Sequence, residues 1–333
     1  MAIVGGVKSL RKIQLGRETT AGTAVEATAI WRGLGTIEDT RSVVYDEEDV
    51  GLFAGTTRNH TEKYGAALSM TGAATFEQLP YILEAGLDAV NTGSMDTGGS
   101  GYIYKYVVNS AATEPATYTI EGGDNKGAEE MEYSYVESFT LTAEPSTAMQ
   151  VSANWVGRQV NTSSFTGSLS LVEVEDILSS KGQLWIDTTT IGTTTASQTL
   201  MGATLNWNTG LLAKYTIDSG ELTYSWVQPT RPSGTLELTY EHNDTAIAEK
   251  AAWRAGTPRL FRLLWQGSAL SSAGDTYTYK TLQVDCAGRY EKFSAIADRD
   301  GNDIVTATAR IGYEEDADLA LEITVVNETE ALP

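Results

Sequence analysis

Apolar and polar residues alternate along most of this chain, the pattern of β-strands that bury one face. Residues 149–155 show it clearly, with apolar side chains at the alternate positions Met149, Val151, Ala153 and Trp155. The same alternation recurs at 64–71, 235–240, 307–313 and 319–325. Threonine is abundant, and its branched side chain suits strands. The pattern predicts a mainly β protein.

Two segments have the composition and boundaries of helices. In residues 244–255, Asp244 or Thr245 can cap the helix, alanine-rich residues follow, and Gly256 and Pro258 then stop it. This arrangement predicts a helix that ends at the glycine.

Residues 76–85 are the second helical segment, and Thr75 and Gln78 have the spacing of a capping box. Pro80 has no backbone N–H to donate and is unfavourable inside a helix. We therefore expect this helix to begin later than the box indicates.

The same order of predicted elements occurs twice along the chain. In each half a strand (35–45, 201–210) precedes a long loop (46–62, 211–233), an alternating strand, a helix and further strands, in which 102–108 corresponds to 259–265. We predict two tandem β-sandwich or barrel modules, each with one packing α-helix, at 31–160 and 182–317. The remaining segments are an N-terminal arm at 1–30, a linker at 161–181 and a C-terminal arm at 318–333.

Charge and composition narrow the possible partners. The chain has 44 acidic and 23 basic side chains, a formal net charge of -21, which disfavours sequence-independent DNA binding. Its single cysteine, Cys286, excludes an intrachain disulfide. No apolar run approaches the length of a membrane span, and the first residues lack a signal-peptide pattern. We expect folding in a reducing cytoplasm.

Catalytic chemistry has little support in the sequence. The two histidines, His60 and His242, form no cluster with ligand spacing, and Asn243 and Asp244 beside His242 suit helix capping. The run DRDGND at 298–303 departs from a calcium-binding loop and favours a hairpin turn around Asp300 and Gly301. Cys286 shares a strand face with apolar residues, which predicts a buried side chain. We expect no enzyme activity, cofactor or bound metal.

Several segments resemble the tail tube proteins, or major tail proteins, of long-tailed bacteriophages. The resemblance lies in ETTAGTAV at 18–25, GAALSMTGAATFEQLPYILEAGL at 65–87, ESFTLTAEPSTAMQVSANWVGRQV at 137–160, and the strand–helix–strand order of the last third. Each piece is a structural motif without catalytic residues. Their order across most of the chain carries the resemblance.

The resemblance implies modules that join edge to edge into a ring whose inner strands form one barrel. Rings stack into a tube through which DNA passes without specific binding. The duplication favours a trimeric, pseudo-hexameric ring, with a hexamer as the alternative. Implied partners are the tape-measure, tail tip and tail terminator proteins, and the implied location is the virion tail, assembled in the host bacterial cytoplasm.

The two long loops carry candidate contacts between rings or subunits, since large exposed apolar groups mark interfaces. The residues are Val50, Leu52, Phe53, Leu222, Tyr224 and Trp226. The alternative is that these loops fold back on their own core. Acidic strand residues are candidates for the channel lining, with exposure to outside solvent as the alternative: Glu38, Asp39, Glu137, Glu237 and Asp285. The terminal arms either add strands to a neighbour or are free ends.

Two other functions remain open at this point. The aromatic residues, 7 Trp and 16 Tyr, are enough to line a sugar site, so a lectin-like carbohydrate-binding β-sandwich is the main alternative. Against it, Tyr64, Trp155, Tyr240 and Tyr313 fall on the apolar faces of their strands, which favours core packing. Another phage ring protein, a tail terminator or baseplate hub, is the further alternative.

Overall fold

The alternating segments form long antiparallel strands in the computed structural model, which describes residues 5–55, 57–196 and 199–333. Strands make up 49% of the chain and helices 8%, so the mainly β prediction is confirmed. The helices are Leu79–Gly86 (α1) and Asp244–Ala255 (α2), besides short 3-10 turns at Lys8–Leu10 and Ser179–Lys181.

Twelve strands lie in the first half of the chain. They are Lys12–Arg17 (β1), Ala29–Ile30 (β2), Ile37–Asp39 (β3), Ser42–Tyr45 (β4), Asn59–Lys63 (β5), Ala66–Ala73 (β6), Ser94–Met95 (β7), Tyr102–Val108 (β8), Tyr118–Gly123 (β9), Ala128–Ala143 (β10), Gln150–Gly157 (β11) and Val160–Ser163 (β12).

Ten strands follow in the second half. They are Gly182–Asp187 (β13), Leu200–Asn208 (β14), Leu211–Lys214 (β15), Trp226–Pro229 (β16), Ser233–Glu241 (β17), Arg259–Ala269 (β18), Tyr279–Phe293 (β19), Ala297–Arg299 (β20), Asn302–Ile311 (β21) and Leu321–Asn327 (β22).

Eight strands form one continuous antiparallel sheet, called the main sheet below, in the order β3–β6–β11–β10–β14–β17–β21–β19. Its apolar face is buried in the core and includes Leu68, Met70, Trp155, Phe139, Leu205 and Leu236. Its other face is mostly polar, apart from the patch around Tyr135 and Val156. The period of two in the sequence thus decides which side of this sheet contacts the core.

Two long strands connect the main sheet to the second layer of the sandwich. The first half of β10 pairs with β9 and β12, and β9 pairs with β1. The first half of β19 lies between β18 and β22, and these strands pair with β13 and β8. Side chains of both layers and of α1 form a single large hydrophobic cluster. Burial of this apolar area is the main stabilising term of the fold.

Helix α1 begins as the proline predicted. The Gln78 backbone N–H donates to Thr75 Oγ1 at 3.2 Å, and the helix starts at Leu79, with Pro80 in its first turn. The Gln78 side chain instead bonds the backbone of Ile30 and Arg32, so the reciprocal half of the capping box is absent. Every residue of α1 is buried.

Helix α2 ends at the predicted glycine, with Gly256 in the left-handed conformation at φ 67. Its N-cap is Asn243, whose side chain accepts from the Ala246 N–H at 3.2 Å, and Asp244 is the first helical residue. The caps satisfy backbone groups at both helix ends.

We expect Asn243→Ala to lower the free energy of unfolding by about 1 kcal/mol, because the Ala246 N–H loses its acceptor. Chemical denaturation followed by circular dichroism measures this. Thr245→Ala, inside the first turn, is the matched control and should cost less. Equal losses for the two variants would show that Asn243 does not act as the cap.

The segments predicted as terminal arms contribute strands to the sheets. Residues 318–333 supply β22, which pairs with β19 on one side and β8 on the other. Residues 1–30 supply β1 and β2. The strand 102–108 pairs with β22 and makes no ladder with β10; β9 holds the position beside β10 that β18 holds beside β19. This differs from the predicted correspondence of 102–108 with 259–265.

Candidate assembly interface

The main sheet is open at both ends among the described residues. No described strand pairs with the outer edge of β3 or with the outer edge of the last residues of β19. Leu34 and Thr40 direct their N–H groups inward, to Thr71 and Gly65. Because neighbouring residues of a strand point their amides in opposite directions, the Asp39 N–H points outward. Such an edge is a template for pairing with another chain.

The centre of the main sheet joins the two halves of the chain edge to edge. Residues 138–143 of β10 pair with 208–203 of β14 without a break in register. Across this junction the Thr140 hydroxyl donates to Asn206 Oδ1 at 3.0 Å. The junction therefore consists of an ordinary antiparallel ladder with a matched side-chain pair.

The strand order and register are the same on the two sides of this junction. Leu68 stands between Ile37 and Trp155, and Leu236 stands between Leu205 and Ala309. Against its neighbour in the main sheet, each long strand has an irregularity at the same place, between residues 136 and 138 in β10 and between 290 and 292 in β19. Bulges at matching places bend both long strands at the same point.

The long loops that follow β3 and β14 are β-hairpins. In one, Tyr45 pairs with Asn59 around residues 46–58; in the other, Ala213 pairs with Val227 around residues 214–226. We call them the first and second hairpin. They lie at corresponding places in the two halves of the main sheet.

The second hairpin packs on its own chain. Tyr224 is 1% exposed, and its hydroxyl donates to the Tyr133 carbonyl at 2.5 Å. It also packs edge-on against Tyr135, beside Leu211. This corrects the prediction for Tyr224, since burial in an aromatic cluster of the same chain removes it from contacts with other chains. Leu222 and Trp226 keep 41% and 44% of their surface exposed.

The first hairpin lies in solvent. Its tip residues Val50, Leu52 and Phe53 are 53%, 59% and 108% exposed. Two strand residues that the sequence reasoning did not single out, Val43 and Tyr45, are also exposed, at 42% and 64%. Five exposed apolar groups on one hairpin form a candidate contact surface.

The acidic candidates separate into different surroundings. Glu38 and Glu237 are exposed on the polar face of the main sheet, and Glu137 is exposed at the irregularity of β10. Asp39 is exposed on the opposite face of β3 and accepts from Arg41, which holds the pKa of its carboxyl below the usual value. The structure does not gather these groups into an acidic cluster.

Asp285 is the exception among these acids, because it is buried. It is 4% exposed and forms an ion pair with Arg262, whose Nη2 lies 2.6 Å from Asp285 Oδ2. The predicted channel lining is therefore corrected at this position, since a paired, buried carboxylate presents no charge to solvent.

Uncharged side chains dominate the polar face of the main sheet. Its central rows consist mainly of hydroxyl and amide groups, with Glu237 among them: Ser69, Thr71, Ser138, Thr140, Thr142, Gln150, Ser152, Asn154, Thr204, Asn206, Asn208, Ser233, Thr235, Thr306 and Thr308. The face is depressed across β10, β14 and β17. Lys292 and Arg310 lie at its β19 end, and Arg310 pairs with Glu291 at 3.3 Å. The face is close to neutral, although the chain is strongly acidic.

The residues considered for chemistry have structural places. Cys286 is fully buried, and burial raises the pKa of its thiol. Asp300 and Gly301 form the predicted two-residue turn between β20 and β21, both with positive φ. His60 lies 3.4 Å from Asp46 on the exposed first hairpin. Within the described ranges no three metal-ligating side chains cluster, and none of the described helices is long and apolar enough to cross a membrane.

Two of the four aromatic side chains that were assigned to the apolar strand faces are in the core. Trp155 and Tyr240 are at most 1% exposed, and Tyr64 is half-buried. Tyr313 is 45% exposed because β21 ends at Ile311, so its predicted place in the apolar row was wrong.

No protein-family model matches the chain, and no curated protein matches it in sequence.

Proposed function

We propose that this chain is a structural subunit of a phage tail tube, which assembles edge to edge into rings that stack around a channel. One observation carries the proposal: the main sheet already contains such a junction, between β10 and β14. The matching order and register on its two sides support a tandem pair of β-sandwich modules. Three chains would then supply six modules to a ring, with six chains as the alternative.

The internal junction gives the register of the proposed external one. When the irregularities of the two long strands are superposed, Ser138–Ala143 of β10 corresponds to Lys292–Ala297, at and beyond the end of β19. In the same way β3 pairs with β6 as β14 pairs with β17, so Gly35–Thr40 corresponds to Ala203–Asn208. The end of β19 in one copy then pairs with β3 of the next. Ser294 would face Glu38 there, as Thr140 faces Asn206.

Ring closure by this pairing would remove both open edges of every chain. The polar face of the main sheet would line the channel, because its apolar face is buried inside each subunit. A lining of hydroxyl and amide groups presents few cations to phosphate, so DNA would pass without the binding that counterion release drives. Tape-measure, tail tip and terminator proteins are the partners such a tube would need.

The exposed tip of the first hairpin fits the second contact that a tube requires. Stacking joins the top of one ring to the bottom of the next, a heterologous contact that extends without closing. Val50, Leu52 and Phe53 are apolar and open to solvent in the single chain. Burial against the next ring would remove them from water.

We expect the purified protein to form species larger than a monomer as its concentration rises, because both edges pair only between copies. Sedimentation velocity over a concentration series measures this. The matched comparison is Phe53→Ser, which should keep rings and shorten stacks. A strictly monomeric wild-type chain at all concentrations, with no response to added salt or preformed tail tips, would contradict the proposal.

A further inference from the structure

A basic groove lies at the β19 end of the main sheet in this acidic chain. Arg231, Arg289 and Arg310 line it and are exposed, together with Tyr313 and two acids, Glu291 and Glu314. Arg310 pairs with Glu291, whereas the ion pairs found among the described residues include neither Arg231 nor Arg289. Two guanidinium groups are thus held at one concave surface without an acidic partner.

The corresponding surface in the first half of the chain is covered. Tyr135 and Val156 form the second strand pair before the irregularity of β10, and Arg289 and Arg310 form the second pair before that of β19. The second hairpin covers Tyr135 and Val156. The basic groove is therefore the place where a hairpin would lie if the second half were covered like the first.

The first hairpin has the matching face exposed. Leu211 and Ala213 on the second hairpin pack against the cluster around Tyr135. At the same register positions, the first hairpin carries Val43 and Tyr45, both in solvent. An apolar face that is buried on one hairpin and exposed on its counterpart indicates a missing contact partner.

Charges at the matching positions are complementary. In the covered half, the Lys63 ammonium lies 5.8 Å from the ring centre of Tyr215. Arg231 and Lys63 occupy corresponding positions in the two halves. Arg231 lies two residues before Ser233, the first residue of β17, and Lys63 lies two residues before Gly65, where the ladder of β6 with β3 begins. Glu47 of the first hairpin corresponds in position to Tyr215 of the second hairpin. Glu47 lies two residues after Tyr45, and Tyr215 lies two residues after Ala213. A lysine–tyrosine contact within the chain thus becomes an arginine–glutamate pair.

We propose that the first hairpin of one copy packs into the basic groove of a second copy of this chain, with Glu47 against Arg231 and Tyr45 beside Arg289. The contact rests on the proposed ring, because it follows β3 across the same junction. Glu47 and Asp49 are exposed, and no described ion pair includes them. Asp46 and Glu48 bond Arg58 within the hairpin, which holds its base together.

Disulfide trapping between two different variants tests the contact. Chains carrying Glu47→Cys and chains carrying Arg231→Cys are mixed, oxidised and separated without reductant; the native Cys286 is buried and contributes little background. We expect a cross-linked dimer of one chain of each kind. His60→Cys, on the opposite face of the hairpin, is the matched control and should give none with Arg231→Cys.

Charge exchange gives the second measurement. Arg231→Glu should raise the concentration needed for ring formation about tenfold or more, because like charges then face each other. Glu47→Arg combined with Arg231→Glu should restore assembly. Rings from the wild type without the 47–231 cross-link, or an unaffected Arg231→Glu, would overturn this contact and leave the tube proposal standing. If the wild-type chain forms no rings, this result counts against the tube proposal. If the 47–231 cross-link is also absent, both the tube proposal and the hairpin contact are overturned.

Discussion

We expect Asp39→Pro to abolish the proposed ring formation and to leave the single chain folded. The Asp39 N–H points away from β6, so the proline removes no backbone hydrogen bond within the chain, only the side-chain bonds that Asp39 accepts from Arg41. In the internal junction the corresponding residue, Trp207, pairs directly with Phe139. A proline at an outer edge position deletes one ladder donor and places its ring where the incoming strand must lie. Natural proteins block strand pairing in this way.

Light scattering after size exclusion measures the effect, with circular dichroism as the test of folding. Asp39→Ala is the matched control: it loses the same carboxylate and its bonds to Arg41 but keeps the N–H. We expect monomers from Asp39→Pro and rings from Asp39→Ala. Rings from both variants would show that the edge of β3 does not carry the assembly.

We expect Arg17→Ala to destabilise the chain by about 3 kcal/mol, because it leaves a buried carboxylate without its cation. Glu84 in α1 is fully buried; the Arg17 guanidinium contacts it, and the Tyr118 hydroxyl donates to it at 2.7 Å. The pair joins β1 to the helix. Arg58→Ala, which breaks an ion pair on the exposed first hairpin, is the matched control and should change the free energy of unfolding by less than about 1 kcal/mol.

The loss in Arg17→Ala also depends on pH. Burial raises the pKa of the Glu84 carboxyl, and the bonds from Tyr118 and Arg17 partly offset that rise. Without Arg17 the pKa in the folded state rises further, so the folded chain binds the proton more tightly than the unfolded chain does. Stability then falls as pH rises through that range. Denaturation of the monomeric Asp39→Pro background should show a larger deficit at pH 8 than at pH 5; a deficit independent of pH would contradict this account of Glu84.

Much of the fold follows from local signals in the sequence. The alternation of apolar and polar residues predicted most strands. Pro80 predicted where α1 begins, and Gly256 predicted where α2 ends. The pair Asp300–Gly301 predicted a hairpin turn. These features depend on neighbouring residues, for which sequence patterns are informative. The burial of Cys286 followed from its place in an apolar row.

Strand partners are set by contacts distant in sequence, and here prediction failed. Residues 319–325 alternate clearly, yet alternation does not show that β22 lies between β19 and β8. The ladder of β8 with β22, in place of one with β10, is equally invisible to local patterns. The sequence places Tyr224 in a loop but does not show whether its ring contacts its own chain or another chain. Only its packing on Tyr133 in the structure shows that the contact is within the chain.

The acidic composition indicated an acidic lining, but composition does not place charges. The polar face of the main sheet carries hydroxyls and amides, and Asp285 is neutralised by Arg262. The useful signal was the identity of the polar residues in alternating strands, such as Ser152 and Asn154 opposite Val151 and Ala153. The polar positions of the alternating strands therefore predict an uncharged face, which the total charge of the chain does not.

Electron microscopy of the purified protein at high concentration, with end-on views classified by symmetry, would show directly whether the chain builds a tube. We expect rings around an open channel, with threefold symmetry and six similar lobes, and side views of stacked rings. Small closed oligomers without a channel would contradict the tube proposal, if Asp39→Pro and the wild type form the same particles at the same concentration.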